Sequence, residues 1–164
     1  MSEFLEKVQI SLQPKILKSN FYVGELTITV APKDLYAIMN QLKEEFGFSY
    51  LIDIVAVDHF RDKERFEVNY NIVNLEQNKR LRVKTFVEEE EPVLDSLVSI
   101  WPAADWNERE AYDMMGIRFQ NHPDLRRMFM PEDFEYFPLR KEFPLIGIPG
   151  SIQFPEKDPP KEYK

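Results

Sequence analysis

Residues 50–87 read YLIDIVAVDHFRDKERFEVNYNIVNLEQNKRLRVKTFV, and the architecture follows from how this run alternates. Tyr50–Val57, Arg65–Leu75 and Arg80–Val87 are rich in the β-branched and aromatic residues that suit a pleated, half-buried surface. Between them stand Arg61-Asp62-Lys63-Glu64 and Glu76-Gln77-Asn78-Lys79, polar and short enough for hairpin turns. Parallel strands need a long crossover, so three strands joined this way predict an antiparallel meander.

On the N-terminal side, Glu25–Val30 alternates so that Leu26, Ile28 and Val30 share one face of a half-buried strand. Pro32–Phe46 then has helical spacing, with Leu35, Ile38, Met39, Leu42 and Phe46 on one face. Pro32 suits the first turn and Gly47 marks the end. On the C-terminal side, Glu88–Glu91 predicts a solvated edge, Pro92–Ile100 a short helix, and Trp106–Met115 a longer one. Asp105 is placed to cap that helix, Glu108 to complete a capping box, and Gly116 to take the left-handed closing position. Helices over the apolar face of the sheet make the fold class α+β, a two-layer domain with a largely antiparallel sheet.

Beyond Gly116 the texture changes. Nine of the twelve prolines lie from Pro102 onward, which rules out long helices and central strands there. Large apolar residues persist, from Phe119 and Leu125 to Leu145 and Phe154. A proline-broken chain of this kind is expected to run extended over a surface, burying those side chains singly.

Composition narrows the function. The 164 residues carry a formal net charge of -8, which argues against nucleic acid and against an anionic membrane surface. There is no cysteine, so thiolate ligation of zinc or iron–sulfur clusters is excluded. Met1–Leu12 lacks the apolar core of a secretory leader. The longest uncharged stretch, Phe143–Pro155, is thirteen residues with three prolines, short of the about 20 a spanning helix needs. No direct membrane insertion is expected. His59 and His122 have no partner at metal-ligand spacing, and His122, in Asn-His-Pro-Asp, is expected to bond the local backbone. The five glycines form no nucleotide-binding loop. Glu108 and Glu110 would diverge on a helix rather than converge on a substrate.

What is dense is ordered charge. Asp105–Glu142 holds nine acidic and six basic residues. Arg109, Glu110 and Asp113 are spaced to form one charged ridge, with Arg126-Arg127 and Arg140-Lys141 downstream. These groups are read either as a solvated face of weak ion pairs or as guanidinium–carboxylate docking within or across an interface.

The run Glu108–Phe119, followed by His122-Pro123-Asp124-Leu125-Arg126-Arg127, Pro131–Phe134 and Pro138–Leu145, resembles the signature of the C-type (30 kDa) subunit family of respiratory complex I. The resemblance implies a cofactor-free structural subunit of the peripheral arm of a proton-translocating NADH:quinone oxidoreductase. It would support electron transfer by docking to the larger D-type subunit near the quinone site. NADH, flavin, iron–sulfur clusters and quinone would be handled by other members of the complex. The chain would sit on the cytoplasmic face of the cell inner membrane through the complex, not primarily as a homo-oligomer. Glu108, Arg109, Glu110, Asp113, His122, Pro123, Leu125, Arg126, Arg127, Arg140 and Lys141 are the expected interface or structural residues, with no catalytic, cofactor or metal residue. The implied organisation is an α+β domain over 1–116, a signature segment over 117–142 packed on domain and partner, and an extended proline-rich partner-binding tail over 143–164. Two positions depart from the family, which commonly has glycine at Asn121 and Tyr136. Asparagine tolerates a left-handed backbone and tyrosine does not, so the loop at Tyr136 is expected to differ. The competing readings are the equivalent component of a membrane-bound hydrogenase or ferredoxin-driven oxidoreductase, and a stand-alone hydrolase using Glu108, Glu110 and His122.

Overall fold

A computed structural model gives the chain's architecture and describes residues 2–60 and 62–148. The meander forms as expected. Strands β3 (Tyr50–Asp58), β4 (Phe66–Asn74) and β5 (Lys79–Val87) pair antiparallel, with Ile54 opposite Tyr70 and Tyr70 opposite Val83. Strand β2 (Glu25–Val30) buries Leu26, Ile28 and Val30, but it joins β5 in parallel, with Ile28 opposite Val83. Strand β1 (Ile16–Tyr22) forms a hairpin with β2 through Val23 and Gly24, both at positive φ. The order is therefore β1-β2-β5-β4-β3 in a mixed sheet.

Two helices cover one face. Helix α1 (Glu3–Leu12) is an element that the charge mix at the N-terminus conceals. Ser2 caps it by accepting the Leu5 N–H at 3.4 Å, and Leu5, Val8 and Leu12 fall on one buried stripe. Helix α2 (Leu35–Glu44) buries Leu35, Ile38, Met39 and Leu42. The expected helix Pro32–Phe46 is shortened at both ends: Pro32–Asp34 is a 3-10 turn, and the chain leaves through Gly47 at φ 66°. There Gly47 donates to the Lys43 carbonyl and Phe48 to Leu42, which satisfies the helix's last carbonyls.

The expected helix at Pro92–Ile100 does not form. Val93–Asp95 is instead a short strand, β6, parallel to β7 (Arg118–Gln120). The Arg118 N–H reaches the Pro92 carbonyl, and the Ser96 N–H reaches Gln120. A partner some twenty-five residues away thus takes the backbone bonds that a local helix would have used. Helix α3 spans Ala104–Met115, starting before the expected Trp106 and ending at Gly116 with φ 78° as anticipated. Its N-cap is Ala103 without a side-chain bond, and Asp105 sits inside the first turn. The capping box is absent because Glu108 turns inward to another partner. Asn121 is left-handed, at φ 62°, whereas Tyr136 is not among the positive-φ residues.

After β7, residues 121–148 run in turns and irregular chain over α3 and the end of the sheet. Phe134 is buried, Leu125 packs against the core, and Phe134, Tyr136 and Phe143 form a ring cluster with centroids 5.6–6.4 Å apart. Of the expected extended tail, 149–164 lies outside the described residues. Among the described residues no helix is long and apolar enough to cross a membrane.

Candidate functional site

The centre of the charged segment is Asp113, whose side chain is wholly buried. One oxygen, Oδ2, accepts three successive backbone N–H groups, from Met128 (3.0 Å), Phe129 (2.7 Å) and Met130 (3.0 Å). The other accepts the Arg127 guanidinium at 2.7 Å. Consecutive N–H groups turned to one point make an anion cradle, and here the chain supplies its own anion. Burial alone would raise the Asp113 pKa; the N–H bonds from Met130 and Phe129, Arg127 and the Met128 N–H outweigh it and hold the carboxyl below its ordinary range.

The expected ridge of Arg109, Glu110 and Asp113 is therefore split. Glu110 is exposed and Arg109 buried, its guanidinium stacked 4.9 Å over Trp106 with Nε donating to the Arg126 carbonyl. Glu108 and Glu110 diverge, one inward and one outward, as helical spacing required. Arg126 is exposed and pairs locally with Asp124 at 2.9 Å. Arg127, mostly buried, also lies over the Phe134 and Phe137 rings. Pro123 is exposed in the turn after His122.

Arg140 donates Nε to the Met115 carbonyl at 2.8 Å and stacks on Phe137 and Phe66. Its contact explains the need for glycine at 116: a Cβ there would meet Arg140 Nη2 at 2.7 Å and the Phe137 ring at 2.8 Å. Lys141 contributes its backbone N–H, which reaches Asp58 Oδ2 at 2.7 Å.

That acceptor belongs to a pair outside the charged segment that the sequence pattern marks. Asp58 and Arg65 meet through two parallel bonds of 2.8 Å, with both side chains nearly solvent-free. Glu89 and Glu142 add further contacts to the same guanidinium, which also lies over Phe60 and Phe66. The Arg65 hydrogen bond, against the opposing effect of burial, drives the Asp58 pKa far down, with the Lys141 and Phe60 N–H groups helping. A signal was legible: Ile54, Ala56 and Asp58 alternate, so the carboxylate falls in the core phase of β3. The Glu88–Glu91 run is exposed as expected, yet Glu89 is used by Arg65.

A third group is less well balanced electrostatically. Glu108 Oε1 accepts the Leu97 N–H at 2.7 Å. Glu108 Oε2 and Asp105 Oδ1 are buried without a hydrogen bond among the described residues, although His122 Nε2 lies 4.0 Å and 3.3 Å from them. His122 does bond the local backbone, accepting the Asp124 N–H at Nδ1 (3.0 Å), but its side chain is fully buried. Burial raises Glu108 to about 7; the nearby Asp105 charge adds to this, while the Leu97 N–H and the Ser96 hydroxyl oppose it. The folded chain therefore holds this proton more tightly than the unfolded chain does. Its contribution is complete below pH 4.5 and is lost as pH rises towards and through about 7. Glutamine at 108 keeps an oxygen for Leu97 and turns an N–H towards Asp105. Glu108→Gln is accordingly expected to be more stable than the parent by ~1–3 kcal/mol at pH 8 and near parity at pH 5. Urea unfolding at both pH values checks this, and equal differences at the two would count against it.

Among the described residues no group of three or more His, Asp or Glu side chains is placed to hold a metal ion. Around Asp113, Arg127 and Arg140 the polar atoms bond one another and the backbone, which fixes the shape of residues 117–142.

This combination defines a small α+β domain, a mixed five-stranded sheet with helices and a charge-pinned segment over its end. The fold matches a solved structure titled "Nqo5 of the trypsin-resistant fragment (1-134)", with TM-score 0.67 and 32% identity, covering 74% of this chain and 99% of that one. It also matches a chain in the archaeal membrane-bound sulfane sulfur reductase, with TM-score 0.76 and coverage of 88% and 85%. At 22% identity that second likeness speaks for the fold alone. Residues 28–148 match the family described as respiratory-chain NADH dehydrogenase, 30 Kd subunit. The C-type subunit of NADH-quinone oxidoreductase from Geotalea uraniireducens is 41% identical over 155 residues, which cover 94% of this chain and 90% of that protein. The chain belongs to the family of the 30 kDa subunit of respiratory-chain NADH dehydrogenase, the C-type subunit of complex I.

Proposed function

We propose that the chain is a cofactor-free docking subunit of the peripheral arm of a proton-translocating NADH:quinone oxidoreductase. In this reading it is seated against the D-type subunit near the quinone site, on the cytoplasmic face of the inner membrane. The observation that supports it best is the division of labour in the charged segment. Asp113, Arg127, Arg140 and the Asp58–Arg65 pair hold residues 117–142 in one shape. Arg126, Phe129, Leu139, Leu145 and Ile146 are left facing outward. A surface of fixed shape with large apolar side chains exposed is what a partner needs. Residues 1–116 then act as the sheet domain, 117–142 as the contact segment, and 143–164 as the part that reaches across the neighbour.

Recovery of the tagged full chain from native membranes tests this. Flavin-containing, NADH-oxidising partners and a D-type subunit are the expected companions. A nickel-containing partner would replace the reading with a hydrogenase component, and a monomer turning over simple esters would replace it with a hydrolase.

A further inference from the structure

We propose that the free edge of β3, with the groove between it and α3, receives an extended segment of a neighbouring subunit. That segment pairs as an added strand, sets an apolar side chain into the groove and turns a basic residue towards Glu110.

Strand β3 closes one end of the sheet and, among the described residues, pairs with β4 alone. Sheets normally guard such edges with lysine, proline or irregular pairing. The opposite edge follows that rule: β1 carries Lys18, with a break in register between Ile16 and Lys18. Beyond its own irregularity at Leu51–Asp53, β3 runs regularly to Asp58 without lysine or proline. It exposes Ile52, Val55 and Val57, at 41%, 45% and 36%. An apolar edge of this length is a pairing site unless something covers it.

Between that edge and α3 lies a groove of ≈ 170 Å³, walled by Val55, Ala111, Met114 and Leu139. Leu139 is itself 55% exposed and held in place by its N–H bond to the Met114 carbonyl. The polar residues on the rim include Asp53 and Glu110, and among the described residues no lysine or arginine lines it. An apolar floor with an acidic rim selects an apolar residue flanked by Lys or Arg. A second copy of this chain is the wrong occupant. Two-fold pairing along β3 would bring two acidic rims, each carrying Asp53 and Glu110, into one interface between chains of net charge -8. Strand addition also explains why the groove runs beside an edge rather than a face: backbone bonds supply affinity and the pocket supplies register.

This inference rests on the docking reading above, and the test separates the two. The full-length chain is compared with Val55→Lys and Glu110→Lys, both at exposed positions, for recovery within the complex from membranes. Each variant is expected to lower recovery about tenfold while the free chain melts within about 4 °C of the parent. Hydrogen exchange of the unsubstituted chain, free and assembled, reads the same edge without a substitution. Amides at 53–56 should slow on assembly. If the parent recovers its partners and both variants do so equally, or if exchange at 53–56 is unchanged, the groove is not the site. A photo-crosslink from position 55 to another copy of this chain also overturns it. If the parent itself recovers no other component of an NADH dehydrogenase, the docking reading fails first.

Discussion

Asp113→Ala is expected to destabilise the folded chain by ~3–5 kcal/mol, the range for removing one partner of a buried ion pair. The substitution strips one carboxylate from three backbone donors and a guanidinium at once. Each donor left without a partner costs about 1–3 kcal/mol when water cannot reach it. The N–H groups of Met128, Phe129 and Met130 are only part-buried, so water will recover some of that loss, and the sum stays below simple addition. Asp113→Asn keeps an acceptor for the N–H triad but turns an amide towards Arg127, so it should lie between alanine and the parent. The pH dependence has a definite sign. A carboxyl held below its ordinary 3.8 stabilises the fold above that value and stops doing so as pH falls through the folded pKa. The parent should therefore lose this contribution only in acid below about pH 4, and Asp113→Asn should lose less there. Urea unfolding at neutral pH gives the first quantity. A cost under about 1 kcal/mol for alanine would mean that the cradle holds its shape without its anion.

The second large effect lies at the other pair. Asp58→Ala leaves the buried Arg65 with Glu89 and Glu142 as its carboxylate partners among the described residues, and also removes the acceptor that the Lys141 and Phe60 N–H groups use. A loss of ~3–5 kcal/mol is expected. Arg65→Met should cost a similar amount, because it strands the Asp58 carboxylate, and the double substitution should cost much less than the sum. Coupling of ~2 kcal/mol or more in the double-mutant cycle is the expected result. Independent, additive losses would show that the two groups act separately.

The elements legible in the sequence are those whose pattern is local. Tyr50–Val57 announces a strand by its β-branched and aromatic residues, Leu26, Ile28 and Val30 by alternation, and Leu35 to Leu42 announce a helix by spacing. What escapes depends on distant partners. Val93–Asp95 is a strand because Arg118–Gln120 lies beside it, and the parallel seam between β2 and β5 is written in neither strand's composition. The charged segment reads as one ridge because spacing reports position on a helix and not which neighbour closes over it. Asp113 is therefore recognisable as part of the pattern, but its burial requires residues 127–130 to fold back on α3. Asp58 and Arg65 lie outside that pattern, although an aspartate in the apolar phase of a strand is a visible anomaly.

The bond from Lys141 to Asp58 joins residues 83 apart, and this orders events in time. During synthesis the meander emerges first, since chains fold from the N-terminal side as they appear. Asp58 and Arg65 can then meet, but the last donor to the pair arrives only with residues near the end of the described chain. Closing so long a loop is slow compared with forming hairpins. A chain cut short of Lys141 has every residue of its five-stranded sheet but lacks one donor to Asp58. If residues 117–142 form the docking surface proposed above, their shape depends on a bond that exists only once residue 141 has been made.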